Sequence, residues 1–135
     1  MAIALTRDVS PEIVDCELTF LERSRIDPVK ARLQHTAYRN ALSELGLTNV
    51  NLPSSAGQPD AVFVEDPAVV LDEVAVVARL GARSRQAEAE EFSSVIGSYR
   101  PLRRIQAPGT LEGGDVLRIG KTLYVGLSSW TSRSG

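Results

Sequence analysis

The stretch DPAVVLDEVAVVAR, residues 66–79, decides the reading of this chain, because DVLRIGKTLYVGL, residues 115–127, lines up with it. Each opens on an aspartate, enters a short β-rich segment and turns back into another. Apolar runs bounded by turn formers predict strands, and Gly120, Lys121 and Thr122 predict the hairpin turn of the later stretch. Between the two, Ser84 is expected to cap a helix with Ala89, Phe92, Ile96 and Tyr99 as its buried stripe. LRRIQ, residues 102–106, reads as a strand after that helix. Repeated β–β–α–β units of this size point to a modular α/β architecture rather than one doubly wound sheet.

Towards the amino terminus, IAL (residues 3–5) is a short strand candidate. Asp27 and Pro28 predict the cap and first turn of a helix reaching about Leu45, with His35, Tyr38, Leu42 and Leu45 on its apolar face. Gly46 is its expected stop, and NVNLP (residues 49–53) is the next strand. AVFVED, residues 61–66, reads as a strand buried on both faces and closed by Pro67. At the other end, TSRSG holds nothing to cover the edge of the last strand. That open edge leaves room for self-association or for a complementary chain.

A chain of 135 residues fits a single domain, here residues 1–135. Fifteen basic residues against seventeen acidic ones leave a net charge of −2, which gives no electrostatic reason to expect nucleic acid or an anionic membrane. The opening MAIALTRDVS lacks the long apolar core of a signal peptide or membrane span, and the lone Cys16 cannot pair internally. The cytoplasm is the expected compartment.

The chemistry concentrates in carboxylates. Glu65 and Asp66 end the expected strand, one on each face, with Asp60 just before it. Adjacent buried carboxylates repel and lose solvation unless a cation joins them. Solvated loop carboxylates, a hard divalent metal and a planar guanidinium all fit the pattern. The second acidic cluster is Glu112 to Asp115, where Gly113 and Gly114 allow close backbone approach or form an ordinary turn. His35 is read as a core histidine. Cys16 lies between Asp15 and Glu17, whose charges disfavour a thiolate. No nucleophile–base pair is visible.

Four motifs together, PDAVFVEDP (residues 59–67), ARLGARSR (78–85), APGTLEGGD (107–115) and LYVGLSS (123–129), resemble the dimethylarginine dimethylaminohydrolases in order and spacing. The resemblance implies the pentein fold, an α/β propeller of ββαβ modules, of which this chain would make about half the ring as the amino-terminal part of a family member. It also implies a mechanism: a cysteine thiolate attacks the guanidinium carbon of N-methylated arginine, expels the amine, and leaves a thiouronium that water hydrolyses to citrulline. On that likeness Glu112 orients the catalytic histidine, Asp66 holds the guanidinium and Glu65 assists. Asp60 and the backbone of Leu18 receive the α-amino end, and Arg85 the carboxylate. No cofactor or metal is implied. The family's histidine and cysteine lie beyond the position of Gly135, so this chain is expected to be inactive alone. One departure stands out: Trp130 occupies the place of a family arginine, with Arg133 three residues on. An arginine deiminase-like or other guanidine hydrolase, or a non-catalytic guanidine-binding or assembly module, are the alternatives.

Overall fold

Asp27 behaves as its position predicts. Its carboxylate accepts the amides of Val29 at 2.9 Å and Lys30 at 3.2 Å, and with Pro28 in the first turn it launches α1, Pro28–Glu44. Gly46, at φ +83°, ends it. These features come from a computed structural model that describes residues 2–135. The chain forms two units, one up to Val64 and one from Glu65.

In the first unit, β1 (Ile3–Arg7) and β2 (Thr48–Leu52) pair in parallel, with α1 as the connection between them. Pro28, Ala31, His35, Arg39 and Leu42 are the half-buried residues of α1, and none is fully buried. Tyr38 and Leu45, expected on that face, are 56% and 79% exposed. The periodicity was shared by two overlapping faces, and the one carrying Ala31 faces inward. A small core joins Val9, Ile13 and Cys16 to Ile26, Ala31 and Val62.

Residues 61–66 are not a strand. They form a series of turns in which the Phe63 amide donates to the Asp60 carbonyl and Val64 to Val62, each at 3.0 Å. Phe63 is 41% exposed, and Glu65 is exposed too. Once local turns satisfy the backbone, no neighbouring strand is needed, and the flanking Pro59 and Pro67 offer no amide to a ladder.

The second unit contains β3 (Ala68–Val70), β4 (Ala75–Val77), α2 (Gln86–Ile96) and β5 (Leu102–Arg104) in chain order. β4 lies in the middle, antiparallel to β3 and parallel to β5. Val77, Ala78, Leu80, Ala89 and Leu111 form the core, with Leu80 and Ala75 wholly buried. α2 buries Ala89, Phe92 and Ile96 as expected, whereas Tyr99 lies past its end and is 37% exposed. Ser84 is not the cap. It sits inside a 3₁₀ turn, Arg83–Arg85, and α2 starts at Gln86 with no capping side chain. A separate antiparallel hairpin pairs β6 (Val116–Ile119) with β7 (Thr122–Val125) through Gly120 at φ +59°. Among the described residues no sheet closes on itself, and no helix is long and apolar enough to cross a membrane.

Candidate functional site

The two glycines of GTLEGGD bring the acidic clusters of the second unit together. The Gly113 amide donates to the Asp66 carbonyl at 2.8 Å. A Cβ on Gly113 would collide with the carbonyl oxygen of Glu65, and one on Gly114 would stand 2.6 Å from Asp66 Oδ1. Only a residue without a side chain permits that approach. Glu112 is then fixed from the other side. Thr131, 1% exposed, accepts the Glu112 amide on Oγ1 at 3.0 Å and donates its hydroxyl to the Asp115 carboxylate.

Arg85 occupies the centre of this arrangement. Its Nε donates to both oxygens of Glu88 at 3.2 Å, and its Nη2 to Glu88 Oε2 at 2.9 Å. Its Nη1 donates to Asp66 Oδ2 at 2.9 Å. Glu112 Oε1 lies 4.0 Å from Nη1, inside ion-pair range but beyond a hydrogen bond. Arg85 and Glu88 are only 6% and 3% exposed. Burial works against the charged guanidinium, yet its hydrogen bonds to Glu88 and Asp66 win and hold its pKa above the ordinary arginine value.

Glu112 responds oppositely. Burial first and the charge of Asp66 second push its carboxyl up to about 7, against the opposing pull of Arg85. Three carboxylates therefore surround one guanidinium, and the one left without a hydrogen bond from Arg85 resists ionisation. An added cation would relieve that excess. Among the described residues no group of three histidine, cysteine or carboxylate side chains is set up to hold a metal ion; the middle of this cluster belongs to a guanidinium.

In the first unit, Asp60 is 3% exposed and accepts the Glu17 amide on both oxygens at 3.1 Å. Asp60 thus lies against the backbone that leads into Leu18. Cys16 is buried, and desolvation followed by the charge of Asp60 pushes its thiol up despite Arg23. The sequence pointed to Asp15 and Glu17 as the cause; Asp60, distant in sequence, matters more. Burial and then Arg39 hold His35 below the ordinary imidazole value, and its ring lies 5.9 Å from that of Tyr38.

Of the expected site residues, Asp66, Arg85 and Glu112 converge in the second unit, while Asp60 and the Leu18 segment meet in the first. Glu65 keeps its side chain exposed and contributes its carbonyl to the approach of Gly113. Trp130 packs on Gly81, where an added Cβ would meet its Cα at 2.7 Å and its ring at 2.9 Å. Sequence reasoning missed Glu88 and Thr131. The three-residue spacing of Arg85 and Glu88 was a usable signal for an ion pair; nothing local marked Thr131.

This α/β scaffold, with three carboxylates around the guanidinium of Arg85, has counterparts among known hydrolases. More particularly, the chain is similar to the N(G),N(G)-dimethylarginine dimethylaminohydrolase of Streptomyces coelicolor, at 40% identity over 98% of this chain and 52% of that protein. It is also similar to the corresponding protein of Pseudomonas aeruginosa, solved in complex with citrulline, at 36% identity, 97% coverage of this chain, 52% of that one and a TM-score of 0.92. AgrE, solved with L-arginine, shares the fold at 22% identity and a TM-score of 0.85, over 96% of this chain and 20% of that one. No family model matches the sequence. The resemblance to the dimethylarginine dimethylaminohydrolases holds over nearly the whole chain, which spans about half the length of these two relatives.

Proposed function

We propose that this chain is the guanidine-binding part of a hydrolase that cleaves the guanidinium C–N bond of N-methylated arginine, yielding citrulline and methylamine or dimethylamine. The observation that carries the reading is the surplus of carboxylate around Arg85, with Asp66 hydrogen-bonded to it and Glu112 held at 4.0 Å. A substrate guanidinium offers planar N–H donors to the same carboxylates, in a geometry that an ammonium cannot reproduce. Asp66 would take the guanidinium, and Glu112 would hold the general acid–base histidine in its working orientation. Asp60, beside the Leu18 backbone, would receive the α-ammonium group. The resemblance gives Arg85 to the substrate carboxylate, a role that requires its Nη1, bonded here to Asp66, to turn away while Glu88 keeps the other edge anchored.

In that reaction a thiolate adds to the guanidinium carbon and the protonated amine leaves. Water then displaces the sulfur, returning the thiol and forming the ureido product. Neither Cys16, buried and resistant to ionisation, nor His35, read as a core residue, is suited to those steps. The chain alone is therefore expected to bind substrate without turning it over. We further propose that the hairpins belong to the ββαβ modules of a pentein ring.

Trp130 favours a second reading. With an indole packed on Gly81 where the family has an arginine, a guanidine with a smaller or absent carboxylate, or arginine itself, would be the better substrate. Calorimetric titration with dimethylarginine, arginine and agmatine separates these readings. The first requires dimethylarginine to bind most tightly; tighter binding of agmatine selects the second; no binding of any of them removes both. Citrulline formed by the unaccompanied chain would overturn the roles given to Cys16 and His35.

A further inference from the structure

Glu88 has no part in the motif resemblance, yet it makes more of the hydrogen bonds to Arg85 given above than Asp66 does. We propose that Glu88 is a positioning residue, which grips the Nε–Nη2 edge of Arg85 and holds its guanidinium short of Glu112, so that Glu112 keeps its carboxylate for the histidine while Asp66 receives a second, incoming guanidinium beside it. This inference rests on the guanidine-binding reading above.

The geometry supplies the reason. A guanidinium is a rigid plane, so contacts on one edge dictate where the other edge points. Both Glu88 oxygens reach Nε at 3.2 Å and one reaches Nη2 at 2.9 Å, while Nη1 faces Asp66 at 2.9 Å. With that edge gripped, the plane cannot turn towards Glu112 without breaking several charge-assisted bonds. If Glu88 let go, rotation about the end of the arginine side chain would bring Arg85 onto Glu112, and the site would be filled by its own arginine. Glu88 is set in the first turn of α2 and is 3% exposed, so its own position is fixed by the helix and its packing.

Charge and reach can be separated with E88D, which keeps the carboxylate but shortens it by one methylene, and E88Q, which keeps the reach but removes the charge. Two quantities are measured in each variant and in the unaltered chain: the dissociation constant for dimethylarginine, and the titration midpoint of the Glu112 carboxyl carbon by NMR. If Glu88 positions Arg85, both variants weaken binding by about tenfold, the loss of roughly one charge-assisted contact, and E88D lowers the Glu112 midpoint as Arg85 closes on it; in E88Q the loss of the Glu88 charge lowers that midpoint as well. An E88D variant with unaltered affinity and midpoint would show that only the charge of Glu88 matters and would overturn the proposal. Should the unaltered chain bind no guanidine, the functional reading falls, while the Glu112 midpoint still decides the role of Glu88. Should the variants not fold, the unaltered chain gives a further test through the Arg85 Nε–H resonance. It must exchange slowly with solvent, and rapid exchange contradicts a gripped edge.

Discussion

Glu112 is the residue at which structure and pH meet. Its carboxyl is raised to about 7 in the folded chain, whereas an unfolded glutamate titrates near 4.3. Between those values the folded state keeps a proton that the unfolded state has lost, so stability falls as pH rises through the window. The loss, complete above the folded value, is at most about 4 kcal/mol. E112Q removes the titration and should flatten this part of a urea-midpoint profile between pH 4 and 8; an unchanged slope would mean that another group is responsible. Arg85 is the counterpart whose removal is costly. R85A leaves buried Glu88 and half-buried Asp66 without their cation, and a loss of about 3–5 kcal/mol is expected in urea unfolding. R85K should recover only part of it, because an ammonium cannot serve Glu88 and Asp66 along two edges.

At the scale of elements, helices and hairpins were legible in the sequence and the acidic loop was not. Asp27, Pro28 and Gly46 mark α1 through capping chemistry that depends on near neighbours alone. D27A should therefore cost about 1 kcal/mol of thermal stability, read as a lowered melting temperature. The turn residues around Gly120 likewise announced the β6–β7 hairpin. AVFVED misled because its apolar composition suits a strand, while local turns satisfy its backbone and residues 65 and 66 pack against Gly113 and Gly114, nearly fifty positions later. That contact also explains why EGGD could not be separated from an ordinary turn by inspection. G113A should drive residues 112–115 away from 65–66. Its expected signature is a loss of dimethylarginine binding larger than that of G114A, where only a carboxylate oxygen at 2.6 Å must move.

For the whole molecule, the sequence motifs pointed to a guanidine enzyme, and similarity at 36–40% identity over nearly the entire chain agrees. Which carboxylates would act together was half legible. Asp66 and Glu112 were singled out through their motifs and both lie beside Arg85; Glu88 was open to inference only as an ion-pair partner three residues from Arg85, and its burial in α2 gives that pair its weight. The β6–β7 hairpin leaves apolar residues such as Leu117 and Ile119 exposed, which suits the proposed pairing with further modules. The most direct test is a titration of the carbon-13-labelled chain with dimethylarginine near pH 6.5, following the side-chain carboxyl signals of Asp66 and Glu112. Both should move along one saturation curve, with Glu112 releasing its proton as the second guanidinium arrives. If neither signal moves at ligand concentrations that saturate binding, the carboxylates around Arg85 are not a guanidine site.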